Sequence, residues 1–393
     1  MVTYPQGWET YRVIDVADFF DNLRIPVTKN QRRHGNTPYY GANGIQDYVD
    51  GYTHDGEFVL IAEDGANDLL NYPVTYAKGK IWVNNHAHVI SAKESVAVTK
   101  FLYYLLKKVD YTTFLVGGTR AKLNGKTFKN IEITIPSNTS EQKAISSILS
   151  DLDNHIDNLG KLIEKKKNIR DGALEDLTSG RTRLDGFDDE WVVYPFNQYF
   201  TLLPTNTYPR EQLSNRGEVG NIHYGDVLIR YGNVLSDEDE IPRLKDASKI
   251  SERSYLQMND VLIADTAEDE TVGKAVQVGK VSIPLVGGLH TVACRPNYET
   301  ANGFLGYYMN SSHYHDQLYP YITGIKVSSV SKKSFGETYL RIPADLNEQS
   351  AIVSVLTEMD NEIKNLEAER DKMIQIREGA MDDLLTGRVR LTM

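Results

Sequence analysis

One segment of this chain is present twice. The first copy spans residues 141–184 and the second spans residues 348–391, at a constant offset of 207 positions and without a gap. About half of the aligned positions are identical, and each copy follows a divergent block of well over a hundred residues. An internal repeat of this kind decides the architecture. We therefore predict two half-molecules in tandem, each a variable globular block followed by a long helix.

Signals for the two ends of a helix occur at equivalent places in both copies. An N-cap residue and a third helical residue with the spacing of a capping box are present in each, namely Asn138 with Glu141 and Asp345 with Glu348. Gly180 and Gly387 follow the last periodic residues, where a left-handed C′ position favours glycine. The repeat therefore predicts one helix per copy, with defined ends.

Apolar residues recur within each predicted helix at alternating spacings of four and three, which is the period of a coiled-coil seam. The seam positions are Ile145, Leu149, Leu152, Ile156 and Leu159 in the first copy, and Ile352, Leu356, Met359, Ile363 and Leu366 in the second. Such a seam must be covered, and the obvious cover is the other copy.

Four basic residues interrupt this seam: Lys166, Arg170, Arg370 and Arg377. They could set the register of the helices through pairs with Asp or Glu. Alternatively, their aliphatic stems lie along the seam while their charged ends reach water. We favour the second interpretation.

The charge is distributed unevenly along the chain. The formal net charge is −11, which argues against nucleic acid as a partner. Residues 1–136 carry a net charge of only +1 and residues 191–343 carry −3, so the acidic excess lies in the repeated segments. Each variable block could therefore present a local basic face. Two neutral domains without a special partner would also fit these charges.

Composition limits the compartment and the chemistry. Cys294 is the only cysteine, so an intrachain disulfide and a cysteine-based metal site are both excluded. No basic region followed by an apolar run opens the chain. No stretch approaches the roughly 18 apolar residues of a membrane helix. We expect a cytoplasmic protein without membrane contact.

The two variable blocks resemble each other weakly. The run at 59–64 matches the run at 261–266 at an offset of 202, and at that offset His88 matches His290. Phe128 matches Phe335 at the repeat's own offset of 207. Short strand-like runs separated by Gly and Asn turns predict mostly β or α+β blocks.

Motifs for catalysis are lacking. The run at 124–127 resembles the end of a phosphate-binding loop, but Arg120 stands where that loop requires glycine. The acidic residues Glu63, Asp64, Asp265 and Glu268 lack the lysine pattern of a nuclease and fit surface turns better. His86 and His88 could ligate a metal, but no third ligand is in view, and a structural hydrogen-bonding role is favoured. We expect neither a catalytic residue nor a metal site.

Residues suited to DNA are abundant in the variable blocks. Arg and Lys can bind guanine acceptors, Asn and Gln can bind adenine edges, and Tyr, Ser and Lys can hold phosphates. Candidates in the first block are Lys29, Asn30, Arg32, Arg33, Tyr39 and Asn43, followed by Arg120, Lys122 and Lys126. Candidates in the second block are His223, Arg230 and Tyr231, followed by Lys326, Ser328, Lys332 and Lys333. Solvated loops would explain any one of them, but the clusters at 117–129 and 323–335 match each other, which favours DNA.

These features together resemble the specificity subunits of type I restriction–modification systems, over essentially the whole chain. The helix entries IPSNTSEQKAI (135–145) and IPADLNEQSAI (342–352) and the helix ends GALEDLTSGRTRL (172–184) and GAMDDLLTGRVRL (379–391) carry the resemblance. The runs TPYYGANGIQDYVDG (37–51) and DVLIADTAEDETVGKA (260–275) are also similar to the family. The tandem arrangement is more diagnostic than any single motif.

The resemblance implies an α+β architecture with two globular target-recognition domains separated by two long antiparallel helices. These helices form a coiled coil with a pseudo-two-fold internal repeat. The implied bounds are 1–136 for the first domain, 137–184 for the first spacer helix, 185–343 for the second domain and 344–393 for the second helix. No base-contacting residue can be transferred from the family, because recognition domains vary by nature.

The resemblance also implies function and partners. Such a subunit binds an asymmetric bipartite site in double-stranded DNA together with two methylation subunits, and with restriction (motor–nuclease) subunits in the full complex. It is not itself catalytic: S-adenosylmethionine belongs to the methylation subunits, and ATP and magnesium belong to the restriction subunits. Two alternatives remain, a related system with a fused methyltransferase–nuclease partner and a two-headed protein–protein scaffold.

Overall fold

The computed structural model describes residues 4–117, 121–324 and 326–391. The chain forms two compact units. The first unit comprises Met1–Lys161 and Glu367–Met393, and the second comprises Leu162–Leu366. Each unit therefore contains one globular block, the first part of one long helix and the last part of the other. The domain bounds expected from the sequence stay predictions, because this division cuts through both helices.

A six-stranded sheet forms the centre of the first block. The strands of this block are β1 (Trp8–Arg12), β2 (Ala17–Phe19), β3 (His34–Gly41), β4 (Gly44–Val49), β5 (His54–Ala62), β6 (Val74–Val83), β7 (Ala87–Ala92) and β8 (Glu132–Pro136). The sheet order is β2-β7-β5-β6-β3-β4, and β1 pairs separately with β8. The helices are α1 (Val13–Val16), α2 (Thr99–Lys107), α3 (Gly125–Lys129) and the long α4 (Thr139–Ser179), with single 3₁₀ turns at Asp21–Leu23, Lys29–Gln31 and Tyr111–Thr113.

The second block divides its strands between two larger sheets. Its strands are β9 (Trp191–Pro195), β10 (Phe200–Leu203), β11 (Leu213–Ser214), β12 (Gly220–Ile222), β13 (Val234–Leu235), β14 (Arg243–Leu244), β15 (Val261–Ala264), β16 (Thr266–Ala267), β17 (Ala275–Val278), β18 (Leu285–Gly287), β19 (Thr291–Pro296), β20 (Ser328–Ser329) and β21 (Tyr339–Pro343). The sheet orders are β10-β19-β15-β17-β13 and β11-β14-β12-β18, and two further pairs are β16-β20 and β21-β9.

The second block also contains short helices and ends in the second long helix. The helices are α5 (Phe196–Tyr199), α6 (Tyr224–Ile229), α7 (Phe304–Asn310), α8 (Ser312–His315), α9 (Lys332–Phe335) and the long α10 (Leu346–Leu384), with 3₁₀ turns at Arg210–Gln212, Glu252–Ser254 and Asp316–Tyr321. Among the described residues, none of these helices combines the length and apolarity needed to cross a bilayer.

The ends of the long helices agree with the sequence, with one exception. The side chain of Asn138 accepts a hydrogen bond from the N–H of Ser140 (2.9 Å), and that of Asp345 accepts one from Asn347 (2.8 Å), so both N-caps are confirmed. Gly180 and Gly387 have φ angles of +73° and +71°, as a C′ glycine requires.

The exception is the predicted capping box. Glu141 and Glu348 are 3% and 1% exposed. Their carboxylates bind arginines rather than their own N-cap backbone. Arg390 donates to Glu141 (2.6 and 2.8 Å), and Arg183 forms the matching pair with Glu348, in which Nη2 lies 2.7 Å from Oε2. The buried glutamate therefore joins the start of one long helix to the segment that follows the other.

Every predicted position of the coiled-coil seam is buried or half-buried. Within the first unit, Ile145 and Leu149 belong to the same apolar core as Phe101, Leu102 and other residues of the globular block. Within the second unit, Ile352 and Leu356 join the core of the second block in the same way. Complete burial of such a side chain contributes about 1.5–3 kcal/mol. The seam therefore anchors each helix start to its own globular block.

Ion pairs across the seam show that the helices run antiparallel. In the first unit, Arg377 of α10 donates to Asp153 of α4 (3.2 Å). In the second unit, Arg170 donates to Asp360 (2.9 Å), and Lys166 lies 2.7 Å from Glu362. Residue numbers rise along one helix as they fall along the other, within each unit.

These pairs correct the favoured interpretation of the basic seam residues. Arg170, Arg377 and Lys166 are held by carboxylates of the facing helix and do not simply extend to water. Arg370 pairs with its neighbour Asp371 (3.0 Å) on the same helix. Partner carboxylates on another helix are a tertiary property, which the spacing along one helix does not disclose.

Candidate nucleic-acid interface

A corner of backbone at the end of β5 organises the surface of the first unit. Ala62 of β5 lies opposite Ala87 of β7. The next residue, Glu63, donates its backbone N–H to the carbonyl oxygen of His86 (2.8 Å). The carbonyl oxygen of Glu63 accepts from the N–H of Leu123 (2.8 Å), which ties a following loop to the strand end.

That loop is a hairpin. Val116 and Lys122 exchange two backbone hydrogen bonds (3.0 and 2.9 Å). We name residues 62–64, 86–87, 116–117 and 121–124 the shared corner of the first unit. Arg120, a predicted DNA contact, lies outside the described residues.

The second unit contains the same corner, formed by residues 264–266, 290–291, 323–324 and 326–331. Ala264 lies opposite Thr291. The counterpart hydrogen bonds run from Asp265 N–H to His290 O (3.1 Å), from Val330 N–H to Asp265 O (2.9 Å) and between Thr323 and Ser329 (3.0 and 2.8 Å). The offset of 207 between the two loop clusters is therefore supported by an identical bonding pattern.

The register corrects one sequence match. His290 immediately precedes Thr291, and His86 immediately precedes Ala87, so these two histidines are equivalent. His88 was aligned with His290 from the sequence, but it occupies a position inside β7 and its counterpart is Val292. The segment between the paired strands is longer in the second block, and this shifts the alignment.

His88 has the structural role that was favoured for it. Its Nε2 lies 2.9 Å from the carbonyl oxygen of Leu123, and its Nδ1 lies 2.7 Å from Asp21. Both nitrogens are occupied by protein oxygens, so neither is turned toward an open metal position.

The carboxylates around His88 are also neutralised. Asp21, Glu63 and His88 form a group whose ligand atoms all lie within 4.8 Å of one another. Glu63, however, binds Arg24 (2.7 Å) and Lys122 (2.8 Å). Burial alone would raise the pKa of Glu63, but Lys122 and Arg24 hold it below its usual value. The group fits a buried ion-pair network better than a cation site.

Segment 29–44 divides into exposed and buried candidates. Lys29, Asn30 and Arg33 are exposed. Arg32 stacks on the Tyr39 ring at 4.1 Å from its centroid and pairs with Asp47 (3.2 Å). Arg32 is therefore available only in part.

Two of the predicted contacts in this segment have structural roles. Tyr39 is 1% exposed, and its hydroxyl donates to the carbonyl oxygen of Val27 (3.2 Å). The expectation that Tyr39 touches DNA is wrong for this arrangement, because β3 turns its side chain inward. The amide of Asn43 is exposed but bridges two loops, donating to Gly65 O (2.9 Å) and accepting from Asn67 N–H (3.0 Å).

A pocket of about 200 Å³ opens beside this segment. It is lined by Val27, Gln31, Arg32, Arg33, Tyr39, Val49, Asp50 and Trp82. Trp82 was not singled out from the sequence, and only its pairing opposite Tyr39 places it here. The half-buried ring of Trp82 can stack on the face of a nucleobase, and the exposed guanidinium of Arg33 can bind a base edge.

The remaining basic candidates of the first unit lie at the shared corner and beside it. Lys122 is partly exposed and holds Glu63, which raises the pKa of its ammonium. Lys126 is exposed on α3, which follows the hairpin directly.

In the second unit, two candidates near α6 are buried. Tyr231 is 3% exposed, so it belongs to the core and the expectation of a DNA contact is wrong in this arrangement. His223 is 6% exposed, and its Nδ1 accepts from the N–H of Gly225 (3.3 Å) as the N-cap of α6. Burial, together with Arg210, lowers the pKa of His223.

Arginines surround a buried carboxylate at the same place. Asp226 is fully buried and lies 2.9 Å from Arg210 and 3.4 Å from Arg230. The two arginine side chains are about half exposed, so each can still present donors outward. Sequence reasoning identified Arg230 and missed Arg210, which is close only in the folded chain.

The lysine cluster of the second unit is fully available. Lys326 is exposed in the hairpin of the shared corner, and Ser328 is half-exposed in β20. Lys332 and Lys333 are exposed on α9, whose first turn is capped by Ser331 accepting from Ser334 N–H (3.1 Å). Each unit thus combines a shared corner, a short lysine-bearing helix and a set of nearby polar groups that differs between the units.

Comparison with known proteins identifies the relatives of this chain. Residues 5–167 match the family described as the type I restriction modification DNA specificity domain. A type I restriction enzyme specificity subunit from Haemophilus influenzae is 50% identical over 138 residues, which is 35% of each chain. The MjaVIII specificity subunit from Methanocaldococcus jannaschii is 21% identical over 98% of this chain and 94% of its own. The chain thus spans about a third of the first relative and nearly all of the second.

A solved structure has the same fold. The crystal structure of a type I restriction–modification S subunit from M. genitalium superposes with a TM-score of 0.62 at 16% identity, covering 98% of this chain and 96% of that one.

Proposed function

We propose, on the premise that this chain belongs to the specificity-subunit family of type I restriction–modification systems, that it binds an asymmetric bipartite DNA site. Each globular block would bind one half-site. The observation that carries this proposal is the shared corner, which both units build with the same hydrogen bonds while the surrounding strands differ. Identical blocks would favour a palindromic site, and blocks with different faces favour two different half-sites.

The proposal assigns base recognition to the groups that differ between the units. In the first unit these are Arg33 and the pocket beside Trp82. In the second unit they are Arg210 and Arg230 around Asp226. Arginine forks bind guanine acceptors in the major groove. Lysines of the hairpins and of the short helices would hold the phosphates and set the position on the duplex.

Partners complete the proposed activity. Two methylation subunits would supply S-adenosylmethionine and the methyl transfer, and restriction subunits would supply ATP- and magnesium-dependent cleavage. This chain would contribute recognition and no chemistry of its own. The repeated segments that contain α4 and α10 carry the acidic excess of the chain, so we assign these helices to protein partners rather than to phosphate. No observation favours a fused-partner system or a peptide-binding scaffold.

A domain exchange tests the two-block proposal. Residues 1–136 are replaced by the corresponding block of another specificity subunit, and the methylated sites of the host are sequenced. One half-site should change while the other stays the same. A change in both half-sites would contradict the assignment of one half-site to each block. A matched exchange of residues 185–343 should change only the other half-site.

Removal of lysines tests the proposed binding of phosphates. The variant Lys326→Ala, Lys332→Ala, Lys333→Ala should bind every duplex more weakly. Its slope of log K against log salt should fall by about 0.9 for each phosphate that a lysine no longer neutralises. Lys280→Ala, at another position of the second block, is the control. An unchanged slope in the triple variant would place the three lysines away from phosphate.

A further inference from the structure

An exposed histidine occupies the same backbone position in both shared corners, and its Nδ1 faces a side-chain oxygen of the residue that follows Glu63 or Asp265. In the first unit, Nδ1 of His86 is hydrogen-bonded to Asp64. In the second unit, Nδ1 of His290 lies 3.4 Å from Asp265 and 3.3 Å from the hydroxyl of Thr266. The side chains of the two histidines are 49% and 48% exposed. The two rings therefore have the same backbone position, the same oriented nitrogen and the same exposure.

The other ring nitrogen is available in both cases. Within the described part of the chain, Nε2 of His86 and Nε2 of His290 have no hydrogen-bond partner. A carboxylate at Nδ1 favours the form in which Nδ1 carries a proton, and it orients the ring. Nε2 then faces outward and can meet a ligand outside the protein.

Stability does not account for this arrangement. An ion pair between solvent-exposed groups contributes only about 0–1 kcal/mol. Buried partners would contribute more, but Asp64 is itself about one-third exposed. The local backbone differs as well, since His290 has a φ angle of +54° and His86 is not in the left-handed region. In both units Nδ1 nevertheless faces the equivalent side chain, Asp64 in the first and Thr266 in the second.

The two units differ most where different bases would be recognised and agree at the corner. A group that is the same in both units cannot distinguish two different half-sites. It can bind what the half-sites have in common, and the phosphodiester backbone is the same in every duplex.

Each corner contains a lysine as well as its histidine. Lys122 belongs to the same corner as His86. Lys326 and Ser328 belong to the hairpin next to His290, where Ser329 is paired with Thr266. Donors from the hairpin and from the ring are therefore presented by one piece of backbone in each unit.

We infer that His86 and His290 are phosphate-binding residues, which donate from Nε2 to phosphodiester oxygens at corresponding positions of the two half-sites. Asp64 is the positioning residue that orients the first ring, and Thr266, whose hydroxyl donates to Asp265, orients the second. This inference rests on the proposed function, because it requires that both blocks bind DNA.

The test uses the full chain with its methylation subunits and measures binding to two duplexes, one cognate and one with both half-sites scrambled. His86→Asn and His290→Asn should each lower the affinity for both duplexes by the same factor. That factor should be about tenfold, the loss of one charge-assisted hydrogen bond. The double variant should show the product of the two factors. Glutamine at either position, whose amide can occupy the place of Nε2, should restore part of the affinity.

A control and a second measurement separate contact from misfolding. His155→Asn, an exposed histidine on α4 that faces Glu369 at 3.7 Å, should change neither duplex. The second measurement uses cognate duplexes in which a single phosphate is replaced by a neutral methylphosphonate. At some positions this replacement should lower the affinity of the native protein but not lower that of His290→Asn any further. Additive losses at every phosphate would overturn the inference even if the variant were partly unfolded.

Other outcomes distinguish the two proposals. If the native complex binds the cognate site specifically and the asparagine variants bind as tightly as it does, the phosphate assignment is wrong and the proposed function stands. A loss confined to the cognate duplex would make the histidines base-reading residues instead. If the native complex shows no preference for any site, the proposed function fails and this inference fails with it.

Discussion

The two units have the same shared corner and the same attachment to the long helices, but their sheets and exposed surfaces differ. The first block uses one six-stranded sheet, whereas the second distributes its strands over a five-stranded and a four-stranded sheet. Both nevertheless have the shared corner, and both are joined to the long helices by equivalent bonds. The comparison shows that divergence has affected the exposed strands and loops far more than the attachment to the helices.

The attachment is almost identical in chemical detail. Gln142 donates to the carbonyl oxygen of Pro136 (2.8 Å), and Gln349 donates to that of Pro343 (2.8 Å). Each glutamine also accepts from the globular block, Gln142 from Val98 N–H (3.0 Å) and Gln349 from Ala301 N–H (2.9 Å). A repeated Glu-Gln pair thus fixes each helix start to its own block.

The buried arginine–glutamate pairs are the strongest test of this equivalence. Glu348 is 1% exposed, and its partner Arg183 is 27% exposed. Removing Arg183 would leave a buried carboxylate whose other partner is Trp191 Nε1 (3.3 Å). We expect Arg183→Ala to destabilise the protein by about 3–5 kcal/mol in urea unfolding followed by tryptophan fluorescence.

Removal of Arg390, the counterpart of Arg183 in the first unit, should lower the free energy of unfolding by less. Arg390 is 43% exposed, so water replaces it more readily beside Glu141. We expect Arg390→Ala to cost about 2 kcal/mol. Arg181→Ala, a change in an exposed pair with Asp176, is the control and should stay within about 0.5 kcal/mol. A larger loss for Arg390 than for Arg183 would contradict this ranking by exposure.

Two carboxylates on the long helices, Asp153 of α4 and Asp360 of α10, should give more nearly equal losses of stability when they are replaced. Asp153 binds Tyr104 (2.7 Å) and Arg377, while Asp360 binds Tyr307 (2.7 Å) and Arg170. Burial and the bond to Asp153 raise the pKa of the Tyr104 hydroxyl, so it stays a donor.

Replacing either carboxylate should cost about 2–3 kcal/mol, because a hydroxyl and a guanidinium lose their acceptor. The comparison is Asp153→Ala against Asp360→Ala, measured by the same urea unfolding. Tyr104→Phe and Tyr307→Phe, which remove only one bond each, should cost about 1 kcal/mol. A difference of several kcal/mol between the aspartate variants would show that the two attachments are not equivalent.

The C′ glycines offer a smaller contrast. Gly180 and Gly387 both have positive φ angles, so a side chain at either position is strained by about 1 kcal/mol. A Cβ at Gly387 would also lie 2.7 Å from the ring of Pro5, whereas one at Gly180 would lie 3.3 Å from Trp191. We expect Gly387→Ala to lower the melting temperature more than Gly180→Ala. Equal shifts would indicate that Pro5 moves aside without cost.

The smallest expected effect is a pH dependence. Burial lowers the pKa of His54 despite its bond to the carbonyl oxygen of Phe20 (3.1 Å), and burial also lowers that of His223. A histidine whose folded pKa is depressed takes up its proton only on unfolding. Stability should therefore fall as the pH drops below about 6.5, the unfolded value.

Replacing His54 in the first unit and His223 in the second tests each histidine's contribution to this pH dependence separately. His54→Gln should flatten the decline in the free energy of unfolding between pH 7 and pH 5. His223→Asn keeps a capping side chain for α6 and should flatten it similarly. A steeper decline in either variant would show that the histidine is charged in the folded protein.

Features that depend on neighbours along the chain were predictable. The helix ends and the seam follow from capping and from the period of the α-helix, which act over a few residues. These features recur in the second copy 207 positions later, and the hairpins of the shared corner are related by the same offset. Exposed candidates such as Lys326 and Lys333 were also identified, because charged side chains rarely enter a core.

Features that depend on register or on distant partners were not predictable. Tyr39 and Tyr231 are amphipathic, so their side chains fit a core as well as a surface. The equivalence of His86 and His290 required the strand pairing, since an alignment by residue type selects His88. Arg210 and Trp82 needed the folded chain to bring them beside Asp226 and Tyr39.

The sequence by itself determined that the chain contains two copies of one helix with defined ends and an apolar seam, since those signals are local and repeated. Only the tertiary structure decided that the glutamates at the two helix starts are buried and bind arginines that follow the facing helix. It also decided which polar residues of each block face outward. Pairing between distant segments is set by the packing of the whole unit, and the order of residues along one segment does not contain it.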